Sequence, residues 1–260
     1  SETQEVLIYA MGKIQLEVLE QEVKDRFNIE IGFKNPKIQY RESISAPVTG
    51  YGHFEPMRHY AEVKLRLEPG ERGSGITFES KCDKERLPAH WHKLIEKHIF
   101  EKTHIGILTG SPLTDVHIVL VDGKDHLKHT EPGDFREATY RAVRQGLEKA
   151  ENIILEPYYS FEIYTDSEYI GRIMSDIQKR RGSFEPPLQN ENYVYIKGRG
   201  PVEEFMDYGT EFLAFTKGTG TVNMVFDGYE VCDEAVKNRI IEERAYNKGA
   251  DKANPSSSVF

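Results

Sequence analysis

Apolar and polar residues divide this chain into short segments, and two of these segments frame its most polar loop. The apolar run at residues 116–121 predicts a buried strand. Residues 133–137 predict a helix start, with Asp134 as the N-cap and Glu137 three residues later, as in a capping box. Residues 122–132 between them hold two Lys, two His, three acidic residues and one Leu. We predict a polar loop that presents its side chains to a partner, with a plain solvated connection as the alternative.

The N-terminal segment has the pattern of an incomplete β-α-β unit. Residues 6–12 and 29–33 predict strands, and apolar residues recur at helical spacing between them. The residues with that spacing are Ile14, Val18, Leu19, Val23 and Phe27. Such a piece is too small to bury both faces of a sheet. We therefore expect half of a domain here, and a chain that is a fragment of a longer protein.

Residues 38–154 predict short strands and two longer helices. The predicted order is an extended segment (38–46), a loop (47–58), strands at 60–67 and 76–80 around a turn (69–75), a helix (88–102), the strand at 116–121 and a helix after residue 133. Pro88 suits the start of the first helix. One side of that helix has Trp91, Leu94, Ile95, His98 and Ile99, and one side of the second has Phe135, Ala138, Ala142, Val143, Leu147 and Ala150.

Residues 155–231 predict two similar halves, each with the order strand, helix, strand. The segments are 159–164, 167–179 and 183–188, followed by 193–196, 201–212 and 221–226. Gly182 suits the position just past the first of these helices, and Pro201 suits the first turn of the second. This βαββαβ order is typical of a ferredoxin-like sandwich. Residues 234–246 predict a charged helix, and residues 254–258 a loosely ordered end.

Composition restricts the class of protein. Of 260 residues, 38% are apolar and 30% charged, which fits a globular protein of one or two domains. No apolar run approaches the roughly 20 residues that span a bilayer. No leader pattern is present, and the two cysteines form no CxxC, so we expect a cytoplasmic protein with no membrane partner. We also expect a monomer.

Net charge restricts how the chain can meet nucleic acid. The formal charge is −9, which disfavours non-specific binding by the whole surface. Any contact with RNA must therefore be local. A basic cluster ends the helix predicted at 167–179, and its members are Lys179, Arg180 and Arg181. These cations would either favour the helix dipole or contact phosphate.

Motifs for catalysis or metal binding are weak. No GxxxxGK[ST], GxSxG or HExxH occurs in the sequence. His90, His92 and His98 do not share one face of a helix, which disfavours a metal site. His126 and His129 could act as a general base and its partner, with Asp134 as an orienting carboxylate. No nucleophile or oxyanion site accompanies them at a predictable spacing.

The order of segments and several motifs resemble the C-terminal half of elongation factor G and related translation GTPases. MGKIQLE (11–17) is similar to the family's MGELHLE, and KIQYRESI (37–44) is similar to its PQVAYRETI. LEP (155–157) matches the LEP that opens the family's fifth domain, and SEYIG with RRG (167–171 and 180–182) is similar to PEEYMG…RRG. GTG (218–220) resembles the segment that leads into the last strand. The resemblance covers about residues 5–232. The order and spacing of these motifs are together highly specific.

The resemblance implies an α+β architecture. Residues 1–37 would be a partial third domain, 38–154 a fourth domain with a fold like ribosomal protein S5 domain 2, 155–231 a ferredoxin-like fifth domain, and 232–260 a C-terminal helix and tail packed on the fourth domain. The family's GTPase domain would be missing. This fragment would then need no cofactor and hydrolyse no GTP, whereas its parent would be a GTPase that binds GTP and Mg²⁺.

By the same resemblance, the polar loop would be the tip of the fourth domain, which enters the ribosomal decoding region. The family's DGSYHEVDSSEMAF aligns without gaps on residues 122–135. The residues that would contact the ribosome are His126, Leu127, Lys128, His129, Thr130, Glu131 and Pro132, with Lys179, Arg180 and Arg181 as a second group. Lys128 would meet phosphate, and the histidines would stack on bases. Acids at 122, 125 and 131 would limit unspecific binding.

Two departures from the family's pattern resemble the tetracycline-resistance ribosomal protection branch. The residues around Pro56 lack the GGRGQYG loop, and the tip sequence differs after His126. The Ser-Pro-Val tip of that branch aligns on residues 127–129, where none of the three is retained. We therefore expect a ribosome-binding region, with ribosomal protection ahead of translocation and with ribosomal RNA and ribosomal proteins as partners.

Two alternatives belong to other functional classes. An acid–base enzyme using His126 and His129 would require a buried cleft beside the loop. A protein-interaction module would use the sheet of the ferredoxin-like part, and a sheet face without helices would favour it. A protruding loop would favour the ribosomal hypothesis.

Overall fold

The computed structural model describes residues 8, 13–33 and 37–253. The helices are α1 (Lys13–Phe27), α2 (Ala89–Phe100), α3 (Pro132–Lys149), α4 (Ile170–Lys179), α5 (Val202–Phe205), α6 (Tyr208–Phe215) and α7 (Glu234–Ala253). The strands are β1 (Arg41–Ile44), β2 (Val48–Phe54), β3 (Ala61–Pro69), β4 (Ile76–Ser80), β5 (Val116–Lys124), β6 (Asn152–Asp166), β7 (Ser183–Phe184), β8 (Leu188–Gln189), β9 (Tyr193–Pro201) and β10 (Thr221–Val231).

The described residues form two compact units. Within the described residues, the first unit contains Tyr40–Glu156 and the residues from Tyr229 onward, and the second contains the residues before Tyr40 together with Pro157–Gly228. Both units mix helices with sheets, so the predicted α+β class is confirmed. The domain boundaries given above stay predictions. Among the described residues, no helix has the length and apolar character needed to cross a membrane.

The first unit is built on a four-stranded sheet in the order β2-β3-β5-β4. β3 pairs with β2 and β5 in antiparallel register, and β4 pairs with β5 in parallel register. Alternate residues of β3 are buried, as expected for a sheet with one covered face. These residues pack with Ile118, Leu120, Phe135 and Ala138 in one core, to which α2 and α3 contribute.

The prediction of a loop over residues 47–58 is wrong for its first half, which forms β2. Glycines such as Gly50 and Gly52 are typical of turns, but here they allow the backbone of α3 to lie close to the backbone of β2. A Cβ atom at Gly50 would lie 2.0 Å from the carbonyl oxygen of Ala142, and one at Gly52 would lie 1.8 Å from that of Ala138. Strand and helix backbones therefore pack directly on each other.

Substitution of Gly52 by Ala should destabilise the first unit by about 3 kcal/mol or more, because the new methyl group overlaps α3 backbone. Urea denaturation followed by the fluorescence of Trp91 measures this, since Trp91 is the chain's single tryptophan and lies in α2. Gly133→Ala is the control. Its Cβ meets nothing within 4 Å, so the change should stay within about 1 kcal/mol and be stabilising. Equal stability of the two variants would contradict the close approach.

A buried carboxylate joins β1 to the segment that precedes β5. Glu42 lies on β1, which pairs with the start of β6, and its side chain is fully buried. It accepts hydrogen bonds from the backbone N–H groups of Leu108 (2.9 Å), Thr109 (2.9 Å) and Ser111 (3.1 Å). The Thr109 hydroxyl donates a fourth bond of 2.7 Å. Because these donors surround the charge, burial of the carboxylate is compensated.

Glu42→Gln should lower the free energy of unfolding of the first unit by about 2 kcal/mol, because an amide nitrogen then faces a backbone N–H donor. The same urea denaturation followed by Trp91 fluorescence measures the loss. Glu137→Gln provides the matched control, since Glu137 is exposed on α3 and its change should fall within about 0.5 kcal/mol. A Glu42 variant as stable as this control would show that the buried carboxylate has no structural role.

The second unit confirms the predicted βαββαβ order. β6 pairs with β9 and β10, and β9 pairs with β7 and β8. Its helices contribute Ile173, Ile177, Phe205 and Phe212 to a core shared with alternate residues of β6. The helix predicted over 201–212 is two helices, α5 and α6, after Pro201, which ends β9.

The end of α4 differs in one detail from the prediction. Arg181, and not Gly182, adopts the left-handed conformation, with φ +58°. Gly182 is required for space, because a Cβ atom there would lie 2.9 Å from Phe205 Cζ and 3.1 Å from the carbonyl oxygen of Arg199. The glycine therefore permits close packing of this turn against α5 and β9.

The N-terminal prediction is partly correct. α1 forms where the helical spacing predicts it. The strand expected at residues 29–33 is absent from the described residues, and Ile29 is exposed. A short apolar segment forms a strand only where a neighbouring strand takes its backbone hydrogen bonds. The strand expected at residues 6–12 lies outside the described residues apart from Ile8.

Candidate functional site

The tip loop, residues 125–131, connects β5 to α3. It begins later than predicted, because β5 continues to Lys124. The predicted helix start is also wrong. Glu131 is the N-cap, Pro132 follows it, and Asp134 is the third helical residue. The Asp134 carboxylate accepts the backbone N–H of Glu131 at 2.8 Å and closes a capping box between these two residues. Glu137, the partner expected from the sequence, takes no part in this box.

Backbone and hydroxyl hydrogen bonds hold the tip loop in one turn. The carbonyl oxygen of His126 accepts the N–H groups of His129 and Thr130, both at 3.0 Å. The Thr130 hydroxyl accepts the N–H of His126 at 2.7 Å and donates to the carbonyl oxygen of Tyr60 at 2.6 Å. This hydroxyl therefore closes the loop and ties it to the connection between β2 and β3.

The apex of the tip presents one apolar, one basic and two imidazole side chains. Leu127 is fully exposed, and Lys128 and the two histidines are also exposed. The rings of His126 and His129 are stacked, with centroids 4.6 Å apart. The N–H of Lys128 points to Nδ1 of His126 at 3.3 Å, which favours an unprotonated Nδ1. The apex can therefore offer flat ring surfaces beside a positive charge.

Acidic residues at the base of the tip are engaged within the first unit. Asp125 accepts a hydrogen bond from the indole N–H of Trp91 at 2.9 Å. Asp134 is buried and contacts Nδ1 of His59 at 2.8 Å. Asp122, on β5, pairs with Arg86. These contacts position the loop and reduce the negative charge that it presents to a partner.

A second loop, residues 55–60, lies beside the tip, and sequence reasoning assigned no functional residue to it. The two loops line a groove of about 500 Å³. Its lining residues are Glu55, Pro56, Met57, Arg58, His59, Tyr60, His126 and His129. Recognition of β2 as a strand would have shown that residues 55–60 form a hairpin loop at the same end of the sheet as the tip.

Tyr60 links this second loop to the sheet. Its hydroxyl donates to Glu62 Oε1 at 2.5 Å. Burial and this hydrogen bond raise the pKa of Tyr60, so it stays a neutral donor. Burial tends to raise the pKa of Glu62, but hydrogen bonds from Tyr60 and Tyr51 outweigh it and lower that pKa below its usual value. The charged carboxylate therefore holds the hydroxyl of Tyr60, which lines the groove.

The structure does not place Asp134 where it could orient His126 or His129, as the acid–base hypothesis requires. Asp134 contacts His59 and not His126 or His129, whose rings stack on each other. Of the residues suggested for a metal site, His92 pairs with Ser80 at 3.0 Å and His98 lies 3.0 Å from Glu101. In the described part of the chain, no group of three His, Cys, Asp or Glu residues is arranged to hold a metal ion.

The predicted basic cluster lies in the second unit and mostly serves its packing. The Arg180 guanidinium donates to the carbonyl oxygen of Glu204 and to the Glu211 carboxylate, both at 2.5 Å. Arg181 lies 3.5 Å from the Glu204 carboxylate. Lys179 is exposed on the last turn of α4. Of these three cations, Lys179 is therefore the one best placed to contact a partner.

One face of the second unit's sheet carries exposed aromatic residues. Tyr164 on β6 and Tyr193 on β9 are exposed and stacked, with ring centroids 5.3 Å apart. Helix-facing neighbours such as Ile163 and Val194 are buried. This is the feature that the protein-interaction alternative requires. Nothing among the described residues identifies what would cover it.

Two sequence profiles from one family match most of this chain. The profile described as "Elongation factor G, domain IV" matches residues 36–151, and "Elongation factor G C-terminus" matches residues 153–240. The chain belongs to the elongation factor G family. The matched parts are the family's fourth and C-terminal domains, and its GTPase domain is not among them. The family predicted from the motifs is therefore confirmed.

Similar proteins support the same family. The chain is 32% identical over 250 residues to the "Elongation factor G-like protein" of Thermotoga maritima, covering 94% of this chain and 36% of that protein. It is 30% identical over 245 residues to the "Elongation factor G" of Dehalococcoides mccartyi, covering 93% and 35%. A crystal structure of a Thermus thermophilus protein superposes with a TM-score of 0.79 at 27% identity, covering 90% and 36%. The chain thus spans about a third of these relatives' length.

The hydrogen bonds of the Thr130 hydroxyl should keep the tip loop in one conformation, and this can be tested. Thr130→Val keeps the shape of the side chain but removes both hydroxyl hydrogen bonds. Because each contributes about 1 kcal/mol, amide hydrogen exchange at His126 should become about tenfold faster or more. Hydrogen-exchange NMR measures this rate. Thr130→Ser keeps the hydroxyl and should retain slow exchange, and an unchanged rate in the Val variant would contradict the anchoring role.

Proposed function

We propose that this chain is the ribosome-engaging part of an elongation factor G-like translation GTPase, acting in the cytoplasm. The proposal places GTP and Mg²⁺ in a GTPase domain elsewhere in the parent protein. Membership of the family supports it, together with matches to the family's fourth and C-terminal domains. Ribosomal RNA and ribosomal proteins would be the partners.

The observation that carries the proposal is an exposed tip on a well-anchored base. Leu127 is fully exposed, whereas Asp134 at the helix start is buried and paired with His59. Thr130 ties the turn to Tyr60. A loop held in this way loses little further conformational entropy when it enters a fixed RNA surface. We propose insertion of this tip into folded RNA as the mechanism.

The chemistry of the apex suits RNA. Lys128 can contact a phosphate as a point charge. The stacked rings of His126 and His129 can lie against unpaired bases. The nearby acids Asp122 and Asp125 already have partners inside the protein. The tip would therefore make several individually weak contacts with RNA, which suits a factor that binds the ribosome transiently.

Translocation and ribosomal protection are both compatible with tip insertion. The relatives are named elongation factor G and elongation factor G-like protein, and these names do not distinguish the two roles. The rewritten loop around Pro56 resembles the protection branch. Since residues 127–129 retain nothing of the Ser-Pro-Val tip, we do not propose release of tetracycline. Entry of the tip into the ribosome is the property common to both roles, and it is the function proposed here.

Ribosome binding by the tip can be tested with a variant that leaves the anchors intact. The triple variant Leu127→Ser, Lys128→Gln, His129→Ser retains Thr130 and Glu131. We expect it to bind purified ribosomes about tenfold more weakly or worse, because a phosphate contact and a stacking surface are lost. Co-sedimentation at several ribosome concentrations measures the affinity.

The control for this experiment carries similar changes elsewhere on the surface. Leu213→Ser with Lys84→Gln alters one exposed leucine and one exposed lysine and should bind as the unchanged chain does. Circular dichroism and Trp91 fluorescence should show that all variants are folded. Equal ribosome affinity of the tip variant and the control would remove the tip from the mechanism.

A further inference from the structure

A groove on the flank of the first unit, here called the flank groove, is separate from the tip. It has a volume of about 730 Å³. The β2 strand lines one side with Tyr51 and His53, and α3 and residues 102–105 line the rest. None of its lining residues belongs to the groove beside the tip. His53 lies 2.9 Å from Glu55 in the groove beside the tip, so the cations of the flank groove, and not its β2 residues, can be altered without affecting the tip.

The flank groove is positively charged in an acidic chain. Lys102, Arg141 and Arg144 line it with a single carboxylate, Glu148, so its formal charge is three minus one, or +2, against −9 for the whole chain. His104 adds no charge near neutral pH, because burial lowers its pKa below the ordinary value. A local cluster of this kind attracts polyanions that the rest of the surface repels.

The cations are held in ways that leave them able to contact a ligand. Arg144 Nε lies 2.7 Å from Glu148 in an exposed pair one helical turn apart. Such a pair contributes little and can exchange for a phosphate. Lys102 lies over the ring of Tyr140, with its ammonium 3.4 Å from the centroid. These contacts orient the charges and do not bury them.

Two tyrosines, Tyr51 and Tyr140, also line the flank groove. Tyr51 on β2 is 41% exposed, and its ring centroid lies 6.3 Å from that of His53. Tyr140 is oriented by donation of its hydroxyl to Glu101, and this hydrogen bond is the main reason that the pKa of Glu101 falls to about 2. Grooves that combine cations with exposed rings suit single-stranded nucleic acids, whose phosphates and bases they contact separately.

The edge of β2 is closed to an extended peptide. The N–H of Tyr51 donates to the side-chain oxygen of Gln145 at 2.7 Å. The carbonyl oxygen of His53 accepts a hydrogen bond from Arg141 Nη1 at 2.8 Å. Addition of a strand needs these backbone groups. The chemistry of the groove therefore favours a nucleic acid over a peptide.

We propose that the flank groove is a binding site for single-stranded RNA. Lys102, Arg141 and Arg144 contact successive phosphates, and Tyr51 stacks on a base. This site goes beyond the proposed entry of the tip into the ribosome, because it shares no lining residue with the tip.

The test uses the full chain and a fluorescein-labelled oligouridylate of about 12 nucleotides, within the length that one such site covers. Fluorescence anisotropy is measured from about 50 to 200 mM KCl, because salt separates phosphate contacts from stacking. Lys102→Gln with Arg144→Gln should weaken binding about tenfold and make the plot of log affinity against log salt shallower by about 1.4. Tyr51→Leu should weaken binding about tenfold without changing that slope.

The matched control is Lys93→Gln with Lys97→Gln, which removes two exposed charges from α2 outside the groove. It should bind as the unchanged chain does. Equal weakening by this control would overturn the proposal in favour of diffuse attraction. Failure of the unchanged chain to bind oligouridylate, or equal affinity for a poly-glutamate peptide of similar charge, would also overturn it. The variants at Lys102 and Arg144 leave every residue of the tip unchanged, so weaker binding in them is assigned to the flank groove and not to the tip.

Discussion

Direct contact between the backbones of β2 and α3 is the constraint on which the first unit depends. Gly50 and Gly52 allow it, because any side chain at either position would overlap carbonyl oxygens of the helix. With the helix seated this closely, its first turn lies at the end of the sheet where β5 finishes. The capping box of Glu131 and Asp134 then sets the direction in which the tip loop leaves. The same contact brings Arg141 and Gln145 to the edge of β2, where they form the flank groove.

The motifs that identify the family are largely structural. Glu42, in the segment KIQYRESI, is a buried carboxylate with four donors from residues 108–111. Gly106 is needed because its Cβ would overlap that carboxylate. In the second unit, Arg180 bonds to Glu204 and Glu211, and Gly182 gives space to Phe205. Family membership can therefore be recognised from packing and buried charge even where the tip has changed.

Local electrostatics is compatible with the proposed nucleic-acid partner of an acidic chain. The acids nearest the tip are used inside the protein, Asp125 by Trp91 and Asp134 by His59. The cations of the flank groove face a single carboxylate. The charge of each surface region is therefore set by which of its acidic residues are paired inside the protein, and not by the net charge of the chain. By the proposals above, a surface that repels polyanions in general would bind them where the carboxylates are already paired.

Sequence alone determined the elements whose signal is local. The alternation in β3, the apolar run of β5 and the helical spacing of α3 each identify a buried face, because hydrophobic burial dictates the period of a segment. The order of elements in the second unit followed from the same signal. The tip loop could also be located, since a polar segment between two buried elements must lie at the surface.

Only the tertiary structure decided the features that depend on distant partners. The glycines of β2 are typical of a turn until α3 lies against them. The apolar residues near Ile29 are typical of a strand, yet the described residues provide no neighbour to pair with. Asp134 was assigned as an N-cap and as a partner of the tip histidines, but it is the third residue of α3 and pairs with His59. Such contacts join residues that are far apart in sequence. The local pattern of apolar and polar residues does not predict which distant residues will be in contact.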